Sequence, residues 1–181
     1  MRAFIAVDLS PVPALEPILK ELGQVRGLKA VDPTVLHVTL KFLGETQEDL
    51  VPRIHEAMRA AVDGIAPFEV EVAGSGVFPP KGGARVVWAG LEDAGPMVVM
   101  AQRLEKGLEA LGFAPEGRDF RPHLTLARVK DPIAGNEARR LAEGYSASRF
   151  GRKRVEEIAL KRSVLRPQGP EYSDVLKVQL G

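Results

Sequence analysis

The feature that most constrains the fold is a tetrapeptide that occurs twice. Residues 37–40 (HVTL) and residues 123–126 (HLTL) lie 86 positions apart, which is about half of the 181-residue chain. The only other histidine is His55. Near-identical short motifs at this separation, in a chain with so few histidines, predict an internal duplication in which both halves place the same kind of strand at the same position.

Hydrophobic patterning on either side of the motifs predicts the same order of elements in each half. Strands are expected over residues 4–9, 35–43, 68–72, 85–91, 121–129, 155–164 and 175–180, and helices over residues 10–26, 46–62, 97–111 and 135–143. A segment rich in glycine and proline, residues 74–83, is expected to be a hinge between lobes covering about 1–80 and 84–181. Exchange of strands between the lobes is left open.

The predicted fold class is therefore α+β. One bilobal domain would contain two β-α-β-α-β halves whose antiparallel sheets surround a central cleft, with the helices outside.

Composition excludes several classes of function. The chain has no cysteine, which excludes disulfide frameworks, thiol catalysis and Cys-ligated metal sites. Its 25 basic and 24 acidic residues give a net charge of +1, which argues against a bulk electrostatic nucleic-acid binder. No apolar stretch suits a signal peptide or a membrane span, so we expect a cytoplasmic protein without a membrane partner. A preference for Arg over Lys and a single asparagine favour a thermophilic source.

The two motifs carry chemical meaning because side chains at i and i+2 of a strand face the same way. His37 and Thr39 would share one face, and His123 and Thr125 another. An approximate two-fold axis would aim two imidazoles and two hydroxyls into one cleft. Because imidazole has a pKa of about 6.5, one ring can act as base and the other as acid near neutral pH. This combination suits in-line phosphoryl chemistry without a metal.

The chain resembles a known family, the two-histidine phosphoesterase superfamily. Within it, the chain is similar to the bacterial RNA 2′,3′-cyclic phosphodiesterases long called 2′–5′ RNA ligases. The resemblance rests on both His-x-Thr-x motifs and on segments along nearly the whole chain, namely RAFIAVDL (2–9), LHVTLKFLGE (36–45), GVFP (76–79), RVVWAG (85–90), FRPHLTLAR (120–128) and a hairpin with Ser163, Gly169 and Tyr172. It implies hydrolysis of a terminal 2′,3′-cyclic phosphate to a 2′-phosphate, and in some members reversible joining of RNA ends through a 2′–5′ bond.

Carried over by position, the resemblance makes His37 and His123 the acid/base pair and Thr39 and Thr125 the phosphate ligands. The favoured assignment has His37 protonating the 3′-oxygen leaving group and His123 activating water, with the reverse left open. No metal or cofactor is implied. The expected partners are RNA ends with a 2′,3′-cyclic phosphate, on oligonucleotides or tRNA-like molecules, and the protein is expected to be a monomer.

Three further cations are candidate substrate ligands. Arg128 matches an arginine that helps to hold the substrate in relatives, but strict alternation places it on the face opposite His123 unless the strand ends or bulges. Alternation places Lys41 on the same face as His37, and Arg121 is a candidate by the same argument.

Other residues have two interpretations. Phe4, Trp88 and Tyr172 could stack a base or belong to the core, and His55 is expected to be an exposed surface residue. Residues 149–166 hold seven basic side chains, which form either a solvated strand and turn or a basic rim for an anionic substrate.

Three alternative functions would each require different features in the sequence. A non-catalytic RNA-end-binding module would not need two intact titratable pairs. A metal site is disfavoured because neither motif contains an acidic residue and no His-x-x-x-His spacing occurs. A phosphoesterase for another cyclic phosphate or a 2′–5′ linkage stays open, because loops such as 79–83 and 112–119 would set the choice of substrate.

Overall fold

The computed structural model describes residues 1–181 as four helices and nine strands. The strands are β1 (Arg2–Asp8), β2 (Leu28–Ala30), β3 (His37–Glu45), β4 (Phe68–Phe78), β5 (Val86–Glu92), β6 (His123–Val129), β7 (Arg149–Val155), β8 (Glu157–Arg166) and β9 (Gly169–Gln179). The helices are α1 (Glu16–Gly23), α2 (Val51–Val62), α3 (Gly95–Glu109) and α4 (Gly135–Gly144).

The strands form two antiparallel sheets, and each takes strands from both halves of the chain. Sheet A has the order β3-β1-β8-β9, and sheet B has the order β2-β6-β5-β4-β7. In each sheet the strand with the histidine motif pairs with the first strand of its own half. A strand from the other half follows it, β8 in sheet A and β4 in sheet B. The α+β fold with two antiparallel sheets, predicted from the sequence, is confirmed.

The helices cover one side of each sheet and leave the other side for the cleft. Helices α2 and α3 pack against each other and contact strands of sheet A, whereas α1 and α4 contact strands of sheet B. Large, fully buried side chains fill the layer beneath the helices, among them Ile18, Ile54, Met58, Met100 and Leu104. None of the four helices combines the length and the apolar character that a membrane span requires.

Both motif strands contain a β-bulge at the same place. Lys41 pairs with Ile5 but Thr39 pairs with the next residue, Ala6, so Leu40 is the extra residue of β3. In β6 the pairing shows the same irregularity at Leu126, directly after Thr125. A bulge reverses the alternation of side chains beyond it, so each strand presents a different face after its threonine.

Because of the bulge in β3, the prediction that Lys41 shares the face of His37 is wrong. Beyond Leu40 its side chain faces the helices, where it is 2% exposed and not beside His37. Its Nζ lies 2.6 Å from Glu105 Oε1 on α3 and donates a hydrogen bond of 2.7 Å to the carbonyl oxygen of Ala114. Lys41 is therefore a structural residue that ties β3 to α3 and to the segment leading to β6.

The sheet pairing corrects the expected hinge. Its first half lies inside β4, which runs on to Phe78 and forms a hairpin with β5 in the same sheet. Gly76 is needed there because the Trp88 ring lies over it, and a Cβ at this position would overlap that ring.

Strands β2 and β7 were not predicted. β2 has only three residues, and β7 (RFGRKRV) lacks apolar alternation because it is an edge strand with cross-strand ion pairs.

We expect replacement of Lys41 by methionine to lower the free energy of unfolding by about 3 kcal/mol, because Glu105 would lose its cation in a largely buried setting. Urea unfolding of the wild type and the variant measures this difference. The control is K106M, an exposed lysine of α3, which we expect to stay within about 0.5 kcal/mol. The double variant K41M/E105L should recover much of the loss. Equal stability of K41M and K106M would contradict a structural role for Lys41.

Candidate active site

The two histidines begin the strands that meet where the sheets join. Strands β3 and β6 are in contact, and His37 and His123 are the first residues of each. His37 Nδ1 lies 2.8 Å from the carbonyl oxygen of Val35, and His123 Nδ1 lies 2.7 Å from that of Arg121. A ring that donates from Nδ1 carries its lone pair on Nε2 when neutral. Both imidazoles are therefore held in the same tautomer by the carbonyl two residues earlier.

The threonines lie beside the histidines, before either bulge. Thr39 and Thr125 are half-buried, and the intervening Val38 and Leu124 are buried in the core. Each hydroxyl therefore shares the face of its histidine, as i and i+2 spacing requires.

The bulge at Leu126 turns Arg128 to the face of His123. Leu126 and Ala127 are both buried, and Arg128 is exposed. The positive charge of Arg128 acts on the pKa of His37 and of Tyr172, both of which belong to sheet A. Arg128 therefore lies close enough to sheet A for its charge to act on these side chains, which the sequence allowed only if the strand bulged.

The equivalent bulge in β3 brings out a residue that the sequence argument missed. Phe42 stands five positions after His37, as Arg128 stands five after His123, and it is 59% exposed. Its ring centroid lies 6.2 Å from that of Phe4. Strict alternation from His37 would turn Phe42 toward the core. The signal that could have found it is the equal offset from the motif in the two halves.

Aromatic rings flank both imidazoles. The ring centroids of Phe4 and Tyr172 lie 5.2 and 5.4 Å from that of His37, and Phe78 lies 5.2 Å from His123. Phe4 is buried, so it supports His37 and offers no face to a base. Trp88 is half-buried over Gly76.

The side chain of Arg121 is exposed before β6, and its role as a substrate ligand stays a prediction. His55 on α2 was expected to be exposed and is half-buried.

A buried ammonium group lies next to His37. Lys161 is 7% exposed, and its Nζ is 2.9 Å from Asp8 Oδ2 and 2.7 Å from Asp174 Oδ1. These three side chains line a cavity of about 300 Å³ together with His37 and Tyr172. Burial opposes the charge of Lys161, but the two carboxylates outweigh it and raise the pKa of Lys161.

The pKa of His37 lies below its ordinary value of 6.5, chiefly because burial disfavours the charged ring. The hydrogen bond with Val35 and the carboxylate of Asp8 act in the opposite direction, and the charges of Lys161 and Arg128 lower the pKa further. At neutral pH the neutral form of His37 is favoured.

The basic segment 149–166 is neutralised by its own ion pairs. Six of its seven cations lie within 4.0 Å of a carboxylate, namely Arg149, Arg152, Arg154, Lys161, Arg162 and Arg166. The seventh, Lys153, donates to the carbonyl oxygen of Pro11. The interpretation as a solvated strand and turn is therefore favoured over a basic rim.

No group of three or more acidic or histidine side chains is arranged to hold a metal ion.

Two sheets joined at paired His-x-Thr strands are the arrangement of a two-histidine phosphoesterase. Comparison with known proteins agrees: the chain belongs to the 2′-5′ RNA ligase superfamily, whose family model matches residues 11–163. The family expected from the sequence is thus confirmed.

Several relatives share most of their length with this chain. A protein named RNA 2′,3′-cyclic phosphodiesterase from Archaeoglobus fulgidus is 41% identical over 177 residues, which covers 97% of this chain and 98% of the relative. One of the same name from Methanothermobacter thermautotrophicus is 38% identical over 180 residues, covering 97% and 96%. A crystal structure of a protein from Thermus thermophilus matches with a TM-score of 0.83 and 35% identity, covering 99% of this chain and 98% of that one.

Because the carboxylate of Asp8 raises the pKa of His37, we expect D8N to lower that pKa further. Nuclear magnetic resonance of the imidazole carbon-bound protons against pH measures the midpoint. The wild-type midpoint should lie below 6.5, and the midpoint in D8N should lie lower still. A D49N variant, which removes an exposed carboxylate before α2, should leave the midpoint of His37 unchanged. A midpoint that rises in D8N would contradict the electrostatic account.

Proposed function

We propose that this protein is an RNA 2′,3′-cyclic phosphodiesterase that opens a terminal 2′,3′-cyclic phosphate to a 2′-phosphomonoester. The observation that carries the proposal is the duplicated geometry of His37 and His123, each fixed by the same Nδ1 hydrogen bond and each beside a threonine. The names of relatives at 31–41% identity support it.

In this proposal the cyclic phosphate binds between the two motif strands. The hydroxyls of Thr39 and Thr125 donate to its non-bridging oxygens, where negative charge accumulates during in-line displacement. One Nε2 takes a proton from water as the new P–O bond forms. The other Nε2 gives a proton to the 3′-oxygen as the P–O3′ bond breaks. The 2′-ester survives, and no metal or cofactor takes part.

The environment of His37 favours the base role for this residue. A general base must be neutral before the reaction, and burial lowers the pKa of His37. His123 would then protonate the leaving oxygen, which is the reverse of the assignment favoured by the sequence. The positive charges of Lys161 and Arg128 act on the same ring and favour its neutral form as well.

The terminal nucleoside would lie between Phe42 and Arg128. Phe42 offers an exposed aromatic face on sheet A, and Arg128 offers a planar cation on sheet B. Stacking on such groups tolerates any base, so this contact suits RNA ends of varied sequence. The preferred partners are RNA ends with a 2′,3′-cyclic phosphate, on oligonucleotides or tRNA-like molecules.

A monomer suffices for this chemistry because one chain supplies both motifs. The 5′-hydroxyl of a second RNA in place of water would give a 2′–5′ bond by the same proton transfers, consistent with the name of the superfamily. We propose further that the protein acts in the cytoplasm of a thermophilic organism.

We expect H37A and H123A each to lower turnover of an RNA with a 2′,3′-cyclic phosphate by at least about a hundredfold, the usual scale for loss of a general acid or base. Steady-state kinetics in EDTA at several pH values measures kcat and KM. The control is H55A, which removes the third histidine and should keep activity within about twofold of the wild type. Wild-type turnover in either motif variant would overturn the site.

A substrate with sulfur in place of the bridging 3′-oxygen separates the roles of the two histidines, because a thiolate leaves without protonation. If His37 is the base, this substrate should restore turnover to H123A by at least about tenfold and leave H37A slow. Comparing kcat for the oxygen and sulfur substrates in each variant measures the rescue. Rescue of H37A alone would restore the assignment made from the sequence.

A further inference from the structure

A lysine outside the motifs lies beside Arg128 on the next strand of sheet B. In the antiparallel pairing of β2 with β6, Lys29 stands directly opposite Arg128. Directly paired residues share a face of the sheet. The neighbours Leu28 and Ala30 pack against the core, and Lys29 is exposed. Lys29 therefore continues the cleft face past Arg128 to the edge of the sheet.

Lys29 lies at one end of the cleft, where sheet A reaches sheet B. Gly169 begins β9 directly after the turn from β8, and a Cβ built on Gly169 would lie 3.9 Å from Lys29 Cε. The hairpin of sheet A thus contacts the edge strand of sheet B. A polynucleotide that enters the cleft at this end must pass Lys29.

Neither Lys29 nor Arg128 takes part in an ion pair. Most cations of residues 149–166 are neutralised by carboxylates on neighbouring strands, for example Arg152 by Glu69 at 3.1 Å. The pair on β2 and β6 has no such partner among the ion pairs of the structure, so its two charges are available to an anion. Two adjacent cations on one face attract phosphate groups.

We infer that Lys29 binds the phosphodiester immediately upstream of the terminal nucleotide, so that the enzyme prefers an RNA end over a mononucleotide cyclic phosphate. The inference rests on the proposed function. His123 and Arg128 are separated by about 14 Å of strand, at about 3.4 Å per residue with one residue taken up by the bulge. Lys29 therefore lies beyond the reacting phosphate along the cleft face, and its long side chain meets only a substrate that extends past the terminal nucleoside.

The test compares a mononucleoside 2′,3′-cyclic phosphate with a dinucleotide that ends in the same group. The two substrates share the reacting centre and differ by one nucleoside and one phosphodiester. We expect the wild type to have about tenfold higher kcat/KM for the dinucleotide. In K29A this preference should fall to about twofold or less, while kcat/KM for the mononucleotide, which has no upstream phosphodiester, should change by less than about twofold. K106A, which removes an exposed lysine of α3, should keep the full preference.

Two further measurements identify the contact as a charge on a phosphate. The logarithm of kcat/KM for the dinucleotide should fall with the logarithm of salt concentration, and K29A should make this slope shallower by about 0.7, the value for one contact on a single strand. A dinucleotide with a neutral methylphosphonate at the upstream linkage should be used equally well by K29A and the wild type.

The outcomes separate this inference from the proposed function. If the wild type opens both substrates and the preference is the same in K29A, the role of Lys29 is wrong and the proposed function stands. If K29A lowers the rates for both substrates equally, Lys29 acts on the reacting centre and the inference also fails. If the wild type opens neither substrate, the proposed function itself is wrong.

Discussion

The site depends on the β-bulge that follows each threonine, at Leu40 and at Leu126. Without the bulges, the residues five positions after the histidines would face the helices. With them, each strand presents three groups to the cleft: a histidine, a threonine and a third side chain, which is Phe42 in one half and Arg128 in the other. The duplication therefore keeps the reacting groups the same and lets the third group differ. In the proposed function the like pairs act on the phosphate, and the unlike pair holds the nucleoside.

Most of the fold could be predicted from the sequence because the spacing of apolar residues along each strand and helix is visible in a short stretch of sequence. The predicted strands and helices occur in the order expected, and both motif strands and the family were correct. The errors in the cleft share one physical cause, which is that strict alternation does not include bulges. Lys41 was placed in the cleft and lies under α3, while Phe42 was not considered and is exposed. Strand β7 was not predicted because Arg149 and Arg152 are paired with carboxylates on β4, a contact that no local pattern reveals.

Charge is organised differently in the cleft and on the rest of the surface. Six of the seven cations of β7 and β8 are paired with carboxylates, which explains why a segment with seven basic residues does not form a basic rim. In the cleft, Arg128 and Lys29 have no ion-pair partner, and the buried Lys161 is held by Asp8 and Asp174 beside His37. In the proposed function, a protein with a net charge of +1 therefore recognises an anionic RNA end through a few positioned charges.

In the proposed function, two equivalent histidines open a 2′,3′-cyclic phosphate by expelling the 3′-oxygen, without a metal. Phosphorus nuclear magnetic resonance identifies the product formed from a short RNA with this end in the presence of EDTA. We expect a terminal 2′-phosphomonoester as the single new resonance. A 3′-phosphomonoester, or no turnover until a divalent metal is added, would contradict it.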